Sequence, residues 1–298
     1  MRELLAGSLV VLALLAGACR GERASPVSSG DLVFEVDRLD SPAGVAFDAR
    51  RNRYLVSNIS GRAPDEDRNG FITAISADGR EVDPRAYTTA SIGAELNSPK
   101  GMDIAGDVLY VADLDRVVGI DLETGRAVLD LKISGARFLY DVEVTEGGAI
   151  YVSDTETYAV YRVHPSHGLA TRLATEGQLH APAGLLDAGS HRLWVAASDG
   201  AVLMIGPDGT VETFVEDRRL VGIHGIQQLP DGSLLVANHR TGQLLRIDPQ
   251  RQIQRLPIIS RSPGDFVIRD GLLVLPEGGN DRVIALRVDQ LMPPEGSR

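Results

Sequence analysis

The stretch GIHGIQQLPDGSLLVAN, residues 222–238, holds a short apolar strand, the turn pair Asp231-Gly232 and a second apolar strand ending on Asn238. The Asp-Gly pair supplies the positive φ that a tight hairpin requires. The arrangement recurs as SPAGVAFDARRNRYLVSN (41–58), SPKGMDIAGDVLYVAD (98–113), FLYDVEVTEGGAIYVSD (138–154), APAGLLDAGSHRLWVAA (181–197) and SPGDFVIRDGLLVLPE (262–277). With Pro42, Pro99, Leu139, Pro182, Ile223 and Pro263 as equivalents, successive units lie 57, 40, 43, 41 and 40 residues apart. Each unit continues into a third apolar segment: GFITAIS (70–76), RVVGIDL (116–122), AVYRVHP (159–165), AVLMIGP (201–207), QLLRIDP (243–249) and DRVIALRV (281–288).

A period near forty with four short strands per unit is the mark of propeller blades. Six units predict an all-β, six-bladed β-propeller; a β-sandwich would leave the near-equal repeats unexplained. The sixth unit has three strands and then only LMPPEGSR, while LVFEVDRL (32–39) precedes the first unit without a blade of its own. The N-terminal strand is therefore expected to close the last blade and cover its edge. The first unit is longer, mostly through SNISGRAPDEDRNG, a candidate rim or lid, since loops carry function more often than strands do.

Ahead of the repeats, Arg2 is followed by the apolar run LLAGSLVVLALLAGA and then Cys19. The run is too short to span a bilayer comfortably and reads as a signal peptide over residues 1–18. Leu15-Ala16-Gly17-Ala18-Cys19 resembles a bacterial lipobox, departing from it at Ala16. That resemblance implies lipidation of Cys19, the sole cysteine, and a cell-envelope location on the periplasmic face of the outer membrane or the cell surface. Residues 19–30 are small and polar and read as a tether, leaving 31–298 as a single propeller domain. With 30 Lys and Arg against 41 Asp and Glu, the net charge of -11 disfavours nucleic acid as a partner. The expected partners are a small-molecule or protein ligand, with the membrane met only through the lipid, and the protein is expected to be a monomer.

The repeats resemble the senescence-marker-protein and gluconolactonase (regucalcin-like) family, with overlap toward NHL-repeat propellers, over about residues 32–288. The resemblance implies hydrolysis of sugar lactones by one divalent metal held in the central channel by Glu, Asn and Asp. The corresponding channel positions here are Ala43, Lys100, Tyr140, Ala183, His224 and Gly264. Ala43 replaces the family's Glu and Ala183 its Asn. A hard divalent ion needs several converging oxygens; two alanines contribute none, and the Lys100 ammonium repels a cation.

The next inner-strand positions are Gly44, Gly101, Asp141, Gly184, Gly225 and Asp265. Units three and six lie opposite one another in a six-membered ring, so Asp141 and Asp265 are expected to face across the axis, with Lys100, Tyr140 and His224 between them. Such a set holds a base, a cation and a phenol. Alternatively each Asp caps a strand turn, and His224 is a satisfied channel residue. His164, His167, His180, His191 and His239 show no metal-type pairing except for the first two, which sit in a Pro-Ser turn and read as surface loop residues. Asn58, Asp113, Asp154, Asn238 and Glu277 recur after the second strand, where an acceptor suits the next turn; Glu277, in LPEGGND, is the one most open to binding a ligand. Asp65, Asp67, Asn69 and Gly70 spell D-x-D-x-N-G, the opening of a calcium loop without its closing Glu. Trp194 is expected to pack between blades.

Two functions follow from these residues. One is an envelope propeller that binds a ligand in its funnel without catalysis. The other is a metal-dependent, gluconolactonase-like hydrolase with a remodelled centre. In the second, Asp141, His224 and Asp265 ligate calcium, zinc or manganese or act as general base, and Lys100 stabilises developing negative charge.

Overall fold

Every second strand of the repeats is apolar at consecutive positions, and the reason is that each is packed on both faces. In Arg53–Asn58, Leu55 joins a cluster with Met102, Leu109 and Val118 of the following unit, while Tyr54 and Val56 join one with Val274 and Val283 of the last unit. Among the described residues six such clusters occur, one at each junction between neighbouring sheets, so the core is a ring of interfaces. Each fully buried Leu, Ile or Val in it contributes about 1.5–3 kcal/mol.

The computed structural model describes residues 25–26, 32–175 and 177–291. The signal peptide at 1–18, Cys19 and the rest of the 19–30 tether lie outside the described residues, apart from Ser25–Pro26. Among the described residues the architecture is a six-bladed β-propeller of six sheets, each with four antiparallel strands, the fifth sheet gaining one further short strand. The innermost strands are Pro42–Asp48, Pro99–Ala105, Leu139–Val144, Pro182–Asp187, Ile223–Gln228 and the short Val267–Arg269. Leu32–Val36 pairs antiparallel with Arg282–Arg287 as the outer strand of blade 6, so the front of the chain closes the ring. Arg282 fastens this closure with Nη1 donating to Glu35 Oε1 at 2.5 Å. Ser25–Pro26 adds a short parallel pairing to Ile258–Ile259 on the outer strand of blade 5.

Two devices bring the inner strands close around the axis. The first is glycine: a Cβ on Gly184 would sit 2.1 Å from the His224 carbonyl oxygen, and one on Gly264 2.0 Å from that of Ala43. The second is a register shift near the start of the inner strand, seen between Pro99 and Met102, Leu139 and Val142, and Ile223 and Ile226. A bulge re-aims the residues beside it, and these bulges carry Lys100, Tyr140, Asp141 and His224. Ser57 and Ser153 then staple blades together, each Oγ donating at 2.6 Å to a carbonyl of the next inner strand, Lys100 and Ala183 respectively.

Trp194 packs edge-on to Phe214 at 4.9 Å and against the cluster between blades 4 and 5, as expected. The acceptors after the second strands cap turns. Asp113 takes the N–H of Asn97 at 2.8 Å, and Asp154 takes those of Arg137 and Phe138 at 2.9 and 3.2 Å. Asn58 and Asn238 do the same for Asp40 and Thr241.

Candidate ligand-binding funnel

At one end of the channel a cavity of about 350 Å³ opens among Lys100, Phe138, Tyr140, His224 and His239, with Ile59 and Ala63 of the first-blade insertion on its rim. The insertion thus contributes to the rim, as its length suggested. Within its D-x-D-x-N-G segment Asn69 bonds both Asp67 oxygens, at 3.3 and 2.7 Å, the pattern of a closed turn.

Lys100, Tyr140 and His224 come together as the channel positions predicted. Lys100 is 3% exposed; its Nζ donates to the Ser98 carbonyl at 2.9 Å and lies 4.2 Å from the centroid of the Phe138 ring. Burial lowers its pKa to about 8, against the opposing pull of Asp113. The Tyr140 hydroxyl is 2.7 Å from His224 Nδ1. Burial pushes the Tyr140 pKa well up and the His224 pKa down to about 3, so the proton stays on the phenol and Nδ1 accepts it in a hydrogen bond.

His239, read from the sequence as unpaired, is the principal residue that sequence reasoning missed. Its ring stacks on His224 at 4.7 Å and 18°, and its Nδ1 donates to the Pro263 carbonyl at 3.2 Å. Burial lowers its pKa as well. Both rings are therefore neutral with opposite tautomers: His224 carries its proton on Nε2, and His239 carries it on Nδ1. Neither Nε2 has a hydrogen-bond partner among the described residues, and neither is sealed from solvent. The stack presents one donor and one acceptor to the funnel. The signal for His239 was available: it directly follows Asn238, at the end of the second strand where the mouth lies.

Asp141 and Asp265 are 2% and 7% exposed and do not line the cavity. Asp141 Oδ1 accepts the N–H of Val142 and Oδ2 that of Leu185, each at 2.8 Å, which is the strand-capping alternative. Gly101 gives it room, since a Cβ there would lie 2.0 Å from Asp141 Oδ1. Two further acids, the half-buried Asp103 and Glu143, extend the cluster and were not singled out from sequence. Burial raises all four, Asp103 to about 6 and Asp141 to about 8, and Asp141 raises Asp265 further. Glu277 is spent within blade 6: it takes the Arg261 N–H at 3.1 Å and Asn280 Nδ2 at 3.0 Å, and pairs with Arg282. Its expected role as a ligand-binding residue has no geometric basis, because its carboxylate is 1% exposed and fully partnered.

The metal reading required Asp141, His224 and Asp265 to converge. Among the described residues no three His, Cys, Asp or Glu side chains are arranged to hold a metal ion. His224 Nδ1 is occupied by Tyr140, and both Asp141 oxygens by backbone N–H groups. These residues do not fit a calcium, zinc or manganese centre.

The fold and the funnel define a six-bladed propeller whose mouth is lined by Lys100, two aromatic rings and two histidines among small and apolar residues. Among solved structures, a gluconolactonase from Xanthomonas campestris is similar at TM-score 0.65 and 17% identity, covering 89% of this chain and 94% of its own. Virginiamycin B lyase from Staphylococcus aureus is similar at 0.59 and 15%, covering 85% of this chain and 98% of the lyase. A chain of the nidogen/laminin complex follows at 0.58 and 20%, covering 72% and 78%. At these identities the likeness is one of fold. No protein family and no curated protein matches the sequence.

Proposed function

We propose that this chain is an exported propeller, lipid-anchored at Cys19 to the cell envelope, whose funnel binds a small organic molecule. The observation that carries the reading is the His224–His239 stack, in which Tyr140 and the Pro263 carbonyl occupy the two Nδ1 atoms and leave a donor on one ring and an acceptor on the other. A cavity of about 350 Å³ suits a compact ligand. The complementary group has an acceptor next to a donor, as a lactam, a cyclic imide or a carboxylic acid does. Phe138 and Tyr140 offer apolar faces to its body, and Lys100 offers a cation to an oxygen.

Two of the structural neighbours bear on this reading. A virginiamycin B lyase made catalytically inactive by a histidine-to-alanine change is described with quinupristin, which supports a histidine-dependent organic-ligand site on this fold. The gluconolactonase likeness supports lactone hydrolysis as the competing activity, but the residues here do not supply a metal centre for it.

The test is a thermal-shift and calorimetric screen of small lactams, imides, carboxylic acids and sugar lactones, each with and without calcium, zinc or manganese. A lactam uses both histidine edges and a lactone only the donor, so a lactam is expected to bind about fivefold more tightly, the worth of one hydrogen bond. His239→Ala, which removes the acceptor that only a lactam uses, should abolish that preference, whereas His224→Ala, which removes the donor used by both classes, should weaken both and leave the preference in place. Metal-dependent lactone turnover, with no ligand preference between the two classes, would replace this reading with the hydrolase.

A further inference from the structure

Beside the funnel, on the same face, lies a second cavity of about 440 Å³ between blades 4 and 5, lined by Arg218, Arg219, Arg240, Arg255, Thr241 and Gln243. In a protein with net charge -11, four guanidinium groups in one groove are out of keeping with the rest of the chain. Among the described residues, Arg219 is the one of the four with an ion pair, to Asp217 at 2.7 Å, whose charge also acts on Arg218. The side chains of Arg218, Arg240 and Arg255 make no ion pair or hydrogen bond among the described residues.

The groove is held by a rigid frame. Asn238 Nδ2 donates to the carbonyls of Arg219 and Val221 at 3.2 and 3.0 Å, while its Oδ1 takes the Thr241 N–H at 3.0 Å. The loop entering blade 5 and the turn bearing Arg240 are thereby tied to one side chain. Gly222, at φ 97°, lets them approach, since a Cβ there would meet the Arg240 Cβ at 2.9 Å. Four arginines lining one groove repel one another, and of the described acids only Asp217 offsets them there, so an anion that joins them is favoured. Guanidinium forks match the paired oxygens of phosphate, and several of them around one groove suit a multiply charged group better than a single carboxylate.

We propose that this groove is a binding site for a phosphate-bearing anion, separate from the funnel. The group could come from a soluble phosphate compound or from a phospholipid headgroup. The second source has one structural argument in its favour: Ser25–Pro26 pairs along Ile258–Ile259, on the strand that carries Arg255. Cys19 precedes that pairing by six residues, so a lipid on Cys19 would be tied near this rim.

The test compares the chain with its Arg240→Ser/Arg255→Ser variant and with Arg269→Ser as a control outside the groove. All carry Cys19→Ser, so that no acyl chain contributes. Pyrophosphate binding is followed by calorimetry at low salt, and co-sedimentation by vesicles of phosphatidylcholine with or without phosphatidylglycerol. Binding of either probe is expected to weaken about tenfold for each groove arginine removed, with the control and the melting temperature unchanged. Pyrophosphate binding without vesicle binding assigns a soluble ligand; vesicle binding that requires phosphatidylglycerol assigns the headgroup. Binding of neither probe, or binding that survives the double variant, overturns the proposal.

Discussion

The buried acids at the channel make a prediction about pH. Asp141, Glu143 and Asp265 have pKa values raised by burial, Asp141 to about 8. In the folded protein they keep protons that the unfolded chain releases near pH 4. An acid with a raised folded pKa stabilises the fold at low pH, and that stabilisation is lost as pH rises towards the folded value. His224 works in the opposite sense: its folded pKa of about 3 makes stability climb with pH, but only up to the ordinary histidine value near 6.5. Lys100, at about 8, begins to oppose the acids only above that pH. Between pH 6.5 and about 8 the acids therefore act alone. The proton retained on Asp141 costs about 1.4 kcal/mol per pH unit, or about 2 kcal/mol across the window, and Glu143 and Asp265 act in the same direction. For a domain of this size that is a fall in Tm of about 4–8 °C per proton. Scanning calorimetry at constant ionic strength should show this fall, and Asp141→Asn should make it shallower by about one proton. A Tm that stays level or rises across the window would refute the assignment of buried, protonated acids.

Three other outcomes are expected. Gly184→Ala places a Cβ against the His224 carbonyl, so the inner strands of blades 4 and 5 must part, with a loss of roughly 2–4 kcal/mol measurable in urea melts. Tyr140→Phe removes the donor that fixes His224; ¹⁵N spectra of the ring should change from a single Nε2–H tautomer to a mixture, and stability should fall by about 1–3 kcal/mol. A carboxylate ligand held by Lys100 should lose affinity about tenfold per pH unit above pH 8, and Lys100→Arg, which stays charged, should remove that dependence in calorimetric titrations.

The fold was legible because the repeat is written in turn pairs and apolar strands, and because an unpartnered strand at one end matched a missing one at the other. The channel positions Lys100, Tyr140 and His224 were legible for the same reason: equivalent places in equivalent units share the axis. What the repeat does not carry is the bulge. By shifting register between Leu139 and Val142 it brings Tyr140 to the funnel and leaves its neighbour Asp141 to cap backbone N–H groups beneath, so adjacent residues that looked alike in role separate. Asp103 and Glu143 went unnoticed because two acids on separate strands become a cluster only when the ring closes. His239 went unnoticed because its partner is a ring on another strand and a carbonyl 24 residues away.

The closure of blade 6 has a consequence for how this chain comes to be folded. Leu32–Val36 is among the first parts of the domain to be synthesised, yet its partner Arg282–Arg287 is among the last. Five blades can form in the order in which they appear, each resting on the one before, while the leading strand waits without a ladder to join. Joining the ring therefore brings the two ends of the domain together, and any protein truncated before residue 282 would lack the strand on which Leu32–Val36 pairs.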